Sequence, residues 1–134
     1  MFKLDDRLAN DTLELGKIGI CKVLLSKDSN YPWIILVPEL ENTTEIHQLS
    51  TKQQIEVMQT ITTIASKMET EFKADKINIG ALGNVVKQLH IHIVARHETD
   101  IAWPGPIWGQ HPAKAYTQEE LTALAEKLTK LLEL

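Results

Sequence analysis

The chain has 134 residues, of which 39 are Leu, Ile, Val or Phe, and this apolar share predicts one folded domain over residues 1–134 rather than a disordered chain. Its 18 acidic and 14 basic residues give a formal net charge of −4, which argues against broad binding to nucleic acid, because such binding requires a basic face. The longest apolar run, from Trp33 to Val37, is far shorter than the ~20 residues of a membrane-spanning helix, so no membrane partner is expected.

The N-terminal sequence and the single cysteine indicate a compartment. Residues Met1 to Asp6 lack the basic and then apolar layout of a signal peptide. Cys21 is the only cysteine, so it has no partner for an intrachain disulfide, and its apolar neighbours favour a core residue over a reactive thiol. A cytoplasmic location is therefore expected.

Two strands are predicted in the first third of the chain. Residues Lys17 to Leu25 are predicted to form one strand that ends at the polar cluster Ser26 to Asn30. Trp33 to Val37 is continuously apolar and is followed by Pro38, which predicts a central strand covered on both faces. The two strands are expected to pair as a hairpin.

A long helix is predicted to begin after Ser50, because Ser50 and Gln53 have the spacing of a capping box. Its inner face is expected to consist of the apolar residues that recur at helical spacing. These residues are Ile55, Met58, Ile61, Ala65, Met68 and Phe72.

The second half of the chain predicts two more strands and a C-terminal helix. Lys76 to Gly80 and Gln88 to Ala95 are expected to be strands, and Trp103 to Pro112 is expected to be irregular. A second capping box, Thr117 with Glu120, precedes the final helix, whose inner face is predicted to be Leu121, Leu124, Leu128, Leu131 and Leu132. This order of elements favours an α+β fold with helices on one face of a largely antiparallel sheet.

The stretch from Gln88 to Arg96 carries the chemistry. Side chains alternate across a strand, so the intervening aliphatic residues are expected to face the helices, whereas Gln88, His90 and His92 share the opposite face. Two imidazoles and an amide in a row on one face indicate that this face lines a site.

Three interpretations of the two histidines compete. They could form structural hydrogen bonds on a half-exposed face. They could bind zinc, although Cys21 and the other histidines do not stand at recognisable ligand spacing. They could act in covalent catalysis, because imidazole is largely neutral near pH 7 and attacks phosphorus without a separate base. The third interpretation is preferred, and no metal is expected.

The same stretch resembles the signature of the histidine triad (HIT) superfamily, His-φ-His-φ-His-φ-φ with φ apolar. Here Gln88 stands at the first triad position, as it does in some similar bacterial hydrolases of this superfamily, and His90 and His92 stand at the second and third. The segment from Asn78 to Asn84 looks like the family's Asn/Gly-rich loop, and Trp33 to Pro38 looks like its apolar strand closing in proline. The resemblance spans roughly residues 15 to 110.

The resemblance implies a fold, an activity and an assembly. The fold would be a mainly antiparallel sheet of about five strands with a long helix and a C-terminal helix. The activity would be hydrolysis of a phosphoanhydride or phosphoramidate at the α-phosphate of a nucleotide conjugate, without a cofactor and in a homodimer. His90 would be the nucleophile, His92 would bind and polarise the phosphate, and Gln88 would assist by orienting His90.

Four further residues are assigned to substrate binding. Gly83 could bring a backbone N–H close to a phosphate because it lacks a Cβ, and Asn84 could add a side-chain donor. Asn78, at the start of the same loop, belongs to this set. Asp28 could accept from a pair of ribose hydroxyls, although an aspartate that forms a turn is the alternative.

Three positions depart from the family pattern. Gln88 replaces a histidine and cannot become cationic, Val85 stands where many members carry Ser or Thr, and Trp33 stands where some members carry a fourth histidine. These departures leave open a second function, in which the protein binds nucleotides as a sensor or interaction module with little or no turnover.

Overall fold

The computed structural model describes all 134 residues, and five of its elements are strands of a single sheet. In chain order the elements are α1 (Asp6–Asp11), β1 (Thr12–Ile18), β2 (Cys21–Ser26), β3 (Trp33–Pro38), a short 3₁₀ helix (Ile46–Gln48), α2 (Thr51–Glu71), β4 (Lys76–Gly80), β5 (Ile91–Arg96) and α3 (Gln118–Leu131). The strands lie in the order β1-β2-β3-β5-β4, and every neighbouring pair is antiparallel. The predicted α+β fold with an antiparallel sheet is therefore confirmed.

Strand β3 lies at the centre of the sheet, as its apolar sequence predicts. It pairs with β2 on one side and with β5 on the other, and Ile35 is the register partner of His92. Five of its six residues are buried, and Trp33 is partly buried. The pairing of β2 with β3 confirms the expected hairpin, and the pairing of β3 with β5 places His92 next to the middle of the sheet.

The two long helices cover one face of the sheet and leave the other to the site. Leu89, Ile91 and Ile93 pack with residues of α2 and α3 in the larger hydrophobic core, which confirms the predicted inward face of this segment. On the opposite face, Ile35 packs in a smaller cluster with Leu8 of α1. Because His92 pairs with Ile35 across the two strands, its side chain lies on that second face.

The prediction of one strand from Lys17 to Leu25 is wrong, since the segment contains the end of β1, a turn and β2. The backbone reverses at Gly19, whose φ of 56° is in the left-handed region, and Ile18 pairs with Cys21 across the turn. Gly19 adopts this conformation without the steric cost of a Cβ. An isolated glycine between apolar residues is the sequence signal for this turn.

Helix α1 is not predicted from the sequence, because a helix of six residues is too short to show a hydrophobic period. Its start is fixed by Asp5, whose carboxylate accepts a hydrogen bond from the backbone N–H of Arg7 at 2.8 Å. Leu8 is its one buried residue. The helix therefore adds a cover over the sheet face opposite the long helices.

Both predicted capping boxes are present, at Ser50 with Gln53 and at Thr117 with Glu120. The inner face of α2 is only partly as predicted, because Ile55 and Met58 are 55% and 56% exposed. The residues of α2 that are buried are Val57, Thr60, Ile61, Ile64 and Met68. The helix carries two overlapping apolar stripes, and periodicity alone does not decide which stripe meets the sheet.

Candidate functional site

His90 and His92 lie side by side on the sheet face away from α2 and α3. Their ring centroids are 4.9 Å apart with an interplanar angle of 75°, and each residue is 7% exposed. The predicted strand from Gln88 begins too early, because regular pairing in β5 starts at Ile91. The alternation of side chains nevertheless extends back to Leu89, which is buried with the helices.

A cavity of about 280 Å³ opens beside the two imidazoles. Besides the histidines it is lined by residues of α1, of the β2–β3 region, of the loop before β5 and of the segment after it. These residues are Arg7, Leu8, Asp11, Ser26, Trp33, Ile35, Leu82, Gly83, Asn84, Val85, Val86 and Trp108. Of the seven residues assigned from sequence, the structure thus brings four together at this cavity: His90, His92, Gly83 and Asn84.

The hydrogen bond of His90 assigns the proton on its ring. Its Nδ1 lies 2.7 Å from the backbone oxygen of Gln88. A carbonyl oxygen only accepts hydrogen bonds, so Nδ1 carries the proton and donates it. Nε2 of the neutral ring therefore keeps its lone pair and is available as a nucleophile.

His92 is held in an environment that opposes its protonation. Burial, and to a smaller extent the neighbouring His90, lowers its pKa from 6.5 to about 4. Its ring also contacts Trp33 and Trp108, with centroids 5.6 and 5.4 Å away, and the indole Nε1 of Trp33 lies 3.0 Å from its Nδ1. Near neutral pH His92 is therefore an uncharged imidazole that can supply one N–H.

The side chain of Gln88 does not point towards His90. Its Oε1 accepts from the backbone N–H of Asp5 and its Nε2 donates to the backbone oxygen of Lys3, both at 2.9 Å. The expected orienting contact to His90 is made instead by the backbone carbonyl of Gln88. The amide therefore anchors the N-terminal segment, and this residue also lines a second, smaller cavity of about 180 Å³ that His90 borders.

Asn78 does not line the cavity with the histidines, because its side chain is used elsewhere. Its Oδ1 accepts a hydrogen bond from Nη1 of Arg96 at 2.7 Å. The side chain of Arg96 neither reaches solvent nor lines the cavity of the histidines. The guanidinium is 2% exposed and pairs with Asp100, so Asn78 and Arg96 form part of a buried polar network below the site.

Asp28 forms a turn, which is the alternative to ribose binding that the sequence leaves open. Its Oδ1 accepts from the backbone N–H groups of Asn30, at 3.0 Å, and Lys114, at 3.2 Å. It lines a separate cavity of about 480 Å³. That cavity shares Trp33 and Trp108 with the cavity of the histidines.

Several residues at the cavity are not assigned from sequence. Arg7, Leu8 and Asp11 enter it from α1, and Trp33 and Trp108 flank His92. Trp108 lines this cavity, whereas Trp103 does not. The sequence of α1 shows no hydrophobic period, so the N-cap residue Asp5 is the one sequence signal for this helix.

Three other properties bear on the nature of the site. Cys21 is fully buried, and burial, followed by the nearby Glu56 carboxylate, raises its pKa to about 11, which confirms a core thiol that stays protonated. No group of three or more His, Cys, Asp or Glu side chains is placed to hold a metal ion. None of the helices has the length and apolar content needed to span a membrane.

Comparison with known proteins identifies the family. The HIT domain family model matches residues 8–99. A histidine triad protein from Marinobacter aquaeolei VT8 is 44% identical, with coverage of 99% of this chain and 97% of that one and a TM-score of 0.97. A histidine triad protein from Bradyrhizobium japonicum is 40% identical, covers 98% of both chains and has a TM-score of 0.94.

More distant structures support the fold alone. A hypothetical histidine triad nucleotide-binding protein from Sulfolobus tokodaii strain 7 is 15% identical, covers 91% of this chain and 84% of that one, and has a TM-score of 0.66. No functionally curated protein matches the chain. With a family model over most of its length and close structural relatives of matching size, the chain belongs to the histidine triad family.

Proposed function

We propose that the protein hydrolyses nucleotide conjugates at the α-phosphorus through a nucleotidyl intermediate on His90. The observation that carries this proposal is the hydrogen bond from Nδ1 of His90 to the backbone oxygen of Gln88, which places the proton of the neutral ring on Nδ1 and the lone pair on Nε2, at a residue that borders the cavity. Membership of the histidine triad family supports it, as does the description of the Sulfolobus tokodaii protein as nucleotide-binding.

The reaction would proceed in two displacements. In the first, the Nε2 lone pair of His90 attacks the α-phosphorus, the bond from phosphorus to the leaving group breaks, and the leaving group takes a proton from water. In the second, water attacks the phosphorus, the P–N bond to His90 breaks, and a nucleoside monophosphate is released. The imidazole returns to its neutral form, so no cofactor is needed.

Neighbouring groups would stabilise the charge on the phosphoryl oxygens. The neutral His92 supplies an N–H close to His90 and needs no reorganisation during the reaction. The loop before β5 adds backbone N–H groups near Gly83, whose φ of 77° is in the left-handed region, and the side chain of Asn84. The aliphatic wall formed by Leu8, Ile35 and Val86 would receive the nucleoside.

The decisive experiment compares the wild type with His90→Ala on a panel of adenosine conjugates that includes a phosphoramidate and a dinucleoside polyphosphate. The wild type should release AMP, and quenched samples should contain an adenylyl group on His90 by mass spectrometry. His90→Ala should lose both signals, whereas His111→Ala, which removes an exposed histidine, should keep them. Equal rates of AMP release by the wild type and His90→Ala would refute the proposal.

A second candidate function is nucleotide binding with little or no turnover. It is favoured by the Gln88 side chain, an amide that is hydrogen-bonded to Lys3 and Asp5 and that has no acidic proton with which to protonate a leaving group. In that case AMP should raise the melting temperature according to RT ln(1 + [L]/Kd). No product would form from any member of the panel.

The partner proposed for the protein surface is a second copy of the chain. Strand β4 forms one edge of the sheet and leaves Ile79 49% exposed, and Ile55 and Met58 are exposed on α2. An unpaired edge with apolar neighbours requires cover. Sedimentation should give a dimer for the wild type and a monomer for Ile79→Lys.

A cytoplasmic location is also proposed, because the protonated, unpaired Cys21 suits a reducing compartment.

A further inference from the structure

We propose that Trp33 is a positioning residue that fixes the tautomer of His92, so that the neutral imidazole always carries its proton on Nε2. The catalytic consequence rests on the proposed hydrolase function. The tautomer itself is a property of the free protein.

The assignment follows from the chemistry of the two rings. The indole Nε1 of Trp33 lies 3.0 Å from Nδ1 of His92. An indole N–H donates a hydrogen bond and has no lone pair with which to accept one. Nδ1 of His92 must therefore be the accepting, unprotonated nitrogen, and the single proton of the neutral ring lies on Nε2.

The sheet holds the two rings in this relationship. Trp33 and Ile35 lie on the same face of β3, and their register partners on β5 are Val94 and His92. Trp33 is thus the diagonal neighbour of His92, a separation that long aromatic side chains bridge. The hydrogen bond is therefore set by strand register between two central strands and does not depend on a loop.

Only one of the aromatic neighbours of His92 can act in this way. Trp108 also contacts the ring, with centroids 5.4 Å apart, but its Nε1 is buried and makes no hydrogen bond. His90 uses its Nδ1 on the carbonyl of Gln88. Trp33 alone among these three rings contributes an N–H to His92, and Trp108 provides a natural comparison.

Fixing the tautomer has a direct consequence for the reaction. His92 is limited to one role, that of a fixed N–H donor from Nε2 to a phosphoryl oxygen. Because Trp33 cannot accept a proton, His92 cannot pass one on through Nδ1. Burial and then the neighbouring His90 lower the pKa of His92 to about 4, so near neutral pH the ring is in the uncharged form to which the tautomer assignment applies.

Nitrogen NMR of uniformly ¹⁵N-labelled protein tests the proposal without substrate. In the wild type, Nε1 of Trp33 and Nδ1 of His92 should show a scalar coupling across the hydrogen bond, and Nδ1 should have the chemical shift of an unprotonated nitrogen. Trp33→Phe should abolish the coupling and move the Nδ1 signal. Trp108→Phe, which also removes an indole N–H beside the ring, should leave both unchanged.

Kinetics then test the positioning role. Trp33→Phe should lower kcat roughly tenfold with a small change in KM, as expected for the loss of one hydrogen bond that acts through another residue. Trp33→His restores a donor and should recover part of the Nδ1 shift and part of kcat.

Two results would overturn the proposal: a wild-type His92 protonated on Nδ1, or a Trp33→Phe spectrum identical to that of the wild type. The wild-type coupling decides the matter even where the variant fails to fold. A positive coupling in a protein that turns over no conjugate would refute the hydrolase function and leave the tautomer assignment intact.

Discussion

Asp100 holds the guanidinium of Arg96 with both carboxylate oxygens, at 2.7 Å from Nε and 3.0 Å from Nη2. The two side chains are 6% and 2% exposed. Arg96 also donates to Asn78 on β4 and to the backbone oxygen of Gly105. A single buried cation thus ties together β5, the neighbouring edge strand and the segment that carries Trp108.

Removing the charge of Asp100 should destabilise the protein strongly. Asp100→Asn leaves Arg96 buried without its anion, and breaking one side of a buried pair costs roughly 3–5 kcal/mol. Burial alone would raise the pKa of Asp100, but hydrogen bonds from Arg96 and from the backbone N–H groups of His97 and Trp103 hold it below its ordinary value of 3.8. The wild-type pair is therefore intact above that value and is lost as the pH falls through the lower folded-state pKa.

The measurement is urea unfolding of the variant and of a control with an exposed pair. Lys127 and Glu71 are 3.1 Å apart, with side chains 49% and 33% exposed, so Glu71→Gln should cost less than about 1 kcal/mol. Similar losses for the two variants would show that the Arg96 network does not stabilise the fold.

The two histidines can be predicted from the sequence to share a face, whereas the network around Arg96 cannot be predicted. The alternation around His90 and His92 is a local pattern, and it correctly places the aliphatic residues with the helices and both imidazoles on the other face. The hydrogen bond between Arg96 and Asn78 joins two neighbouring strands and depends on their register, which a single sequence does not specify.

Local signals are likewise sufficient for some elements and not for others. The capping boxes at Ser50 and Thr117 mark the starts of α2 and α3, because they rely on contacts three residues apart. Because Gln88 stands two residues before His90, the sequence suggests that its amide orients His90. In the structure the Gln88 amide is instead hydrogen-bonded to the N-terminal segment, more than 80 residues away. Long-range polar contacts of this kind produce no periodic pattern in the sequence.

The stability of the protein should fall as the pH is lowered from 6.5 to 4 because of His92. Its pKa is about 4 in the folded protein, against an ordinary value of 6.5 that applies to the unfolded chain, so between these values the unfolded chain binds the extra proton. Stability rises with pH in that interval. The lowered pKa of His92 therefore contributes about 3 kcal/mol to the free energy of unfolding above pH 6.5 and nothing below pH 4.

Urea unfolding of the wild type and His92→Gln at a series of pH values checks this expectation. The difference in the free energy of unfolding between the two proteins should change by about 3 kcal/mol across the interval. A constant difference from pH 4 to 7 would contradict the lowered pKa.

Two isoleucines of α2 should respond very differently to truncation. Ile61 is 3% exposed and packs in the main core, whereas Ile55 is 55% exposed. Ile61→Ala should therefore cost about 2–5 kcal/mol, and Ile55→Ala should change the stability of the monomer by less than about 0.5 kcal/mol. Unfolding at low protein concentration checks both, and a large loss for Ile55→Ala would show that the other stripe of the helix meets the core.

The turn between β1 and β2 depends on a contact that only glycine allows. Gly19 has a φ of 56°, and a Cβ built there would collide with the Glu56 carboxylate. That carboxylate accepts a hydrogen bond from the backbone N–H of Ile20 at 2.7 Å. Gly19→Ala should therefore combine left-handed strain of about 1 kcal/mol with loss of a charge-assisted hydrogen bond, for a total of about 3 kcal/mol.

Gly109 provides the matched control for this substitution. Its φ is 74° and a Cβ built there meets nothing within 4 Å, so Gly109→Ala should show the strain alone, about 1 kcal/mol. In a Glu56→Ala background the cost of Gly19→Ala should fall to that of Gly109→Ala, because the hydrogen bond is already absent. If the cost of Gly19→Ala is the same in both backgrounds, the Glu56 carboxylate does not constrain the turn and the strain at Gly19 accounts for the whole effect.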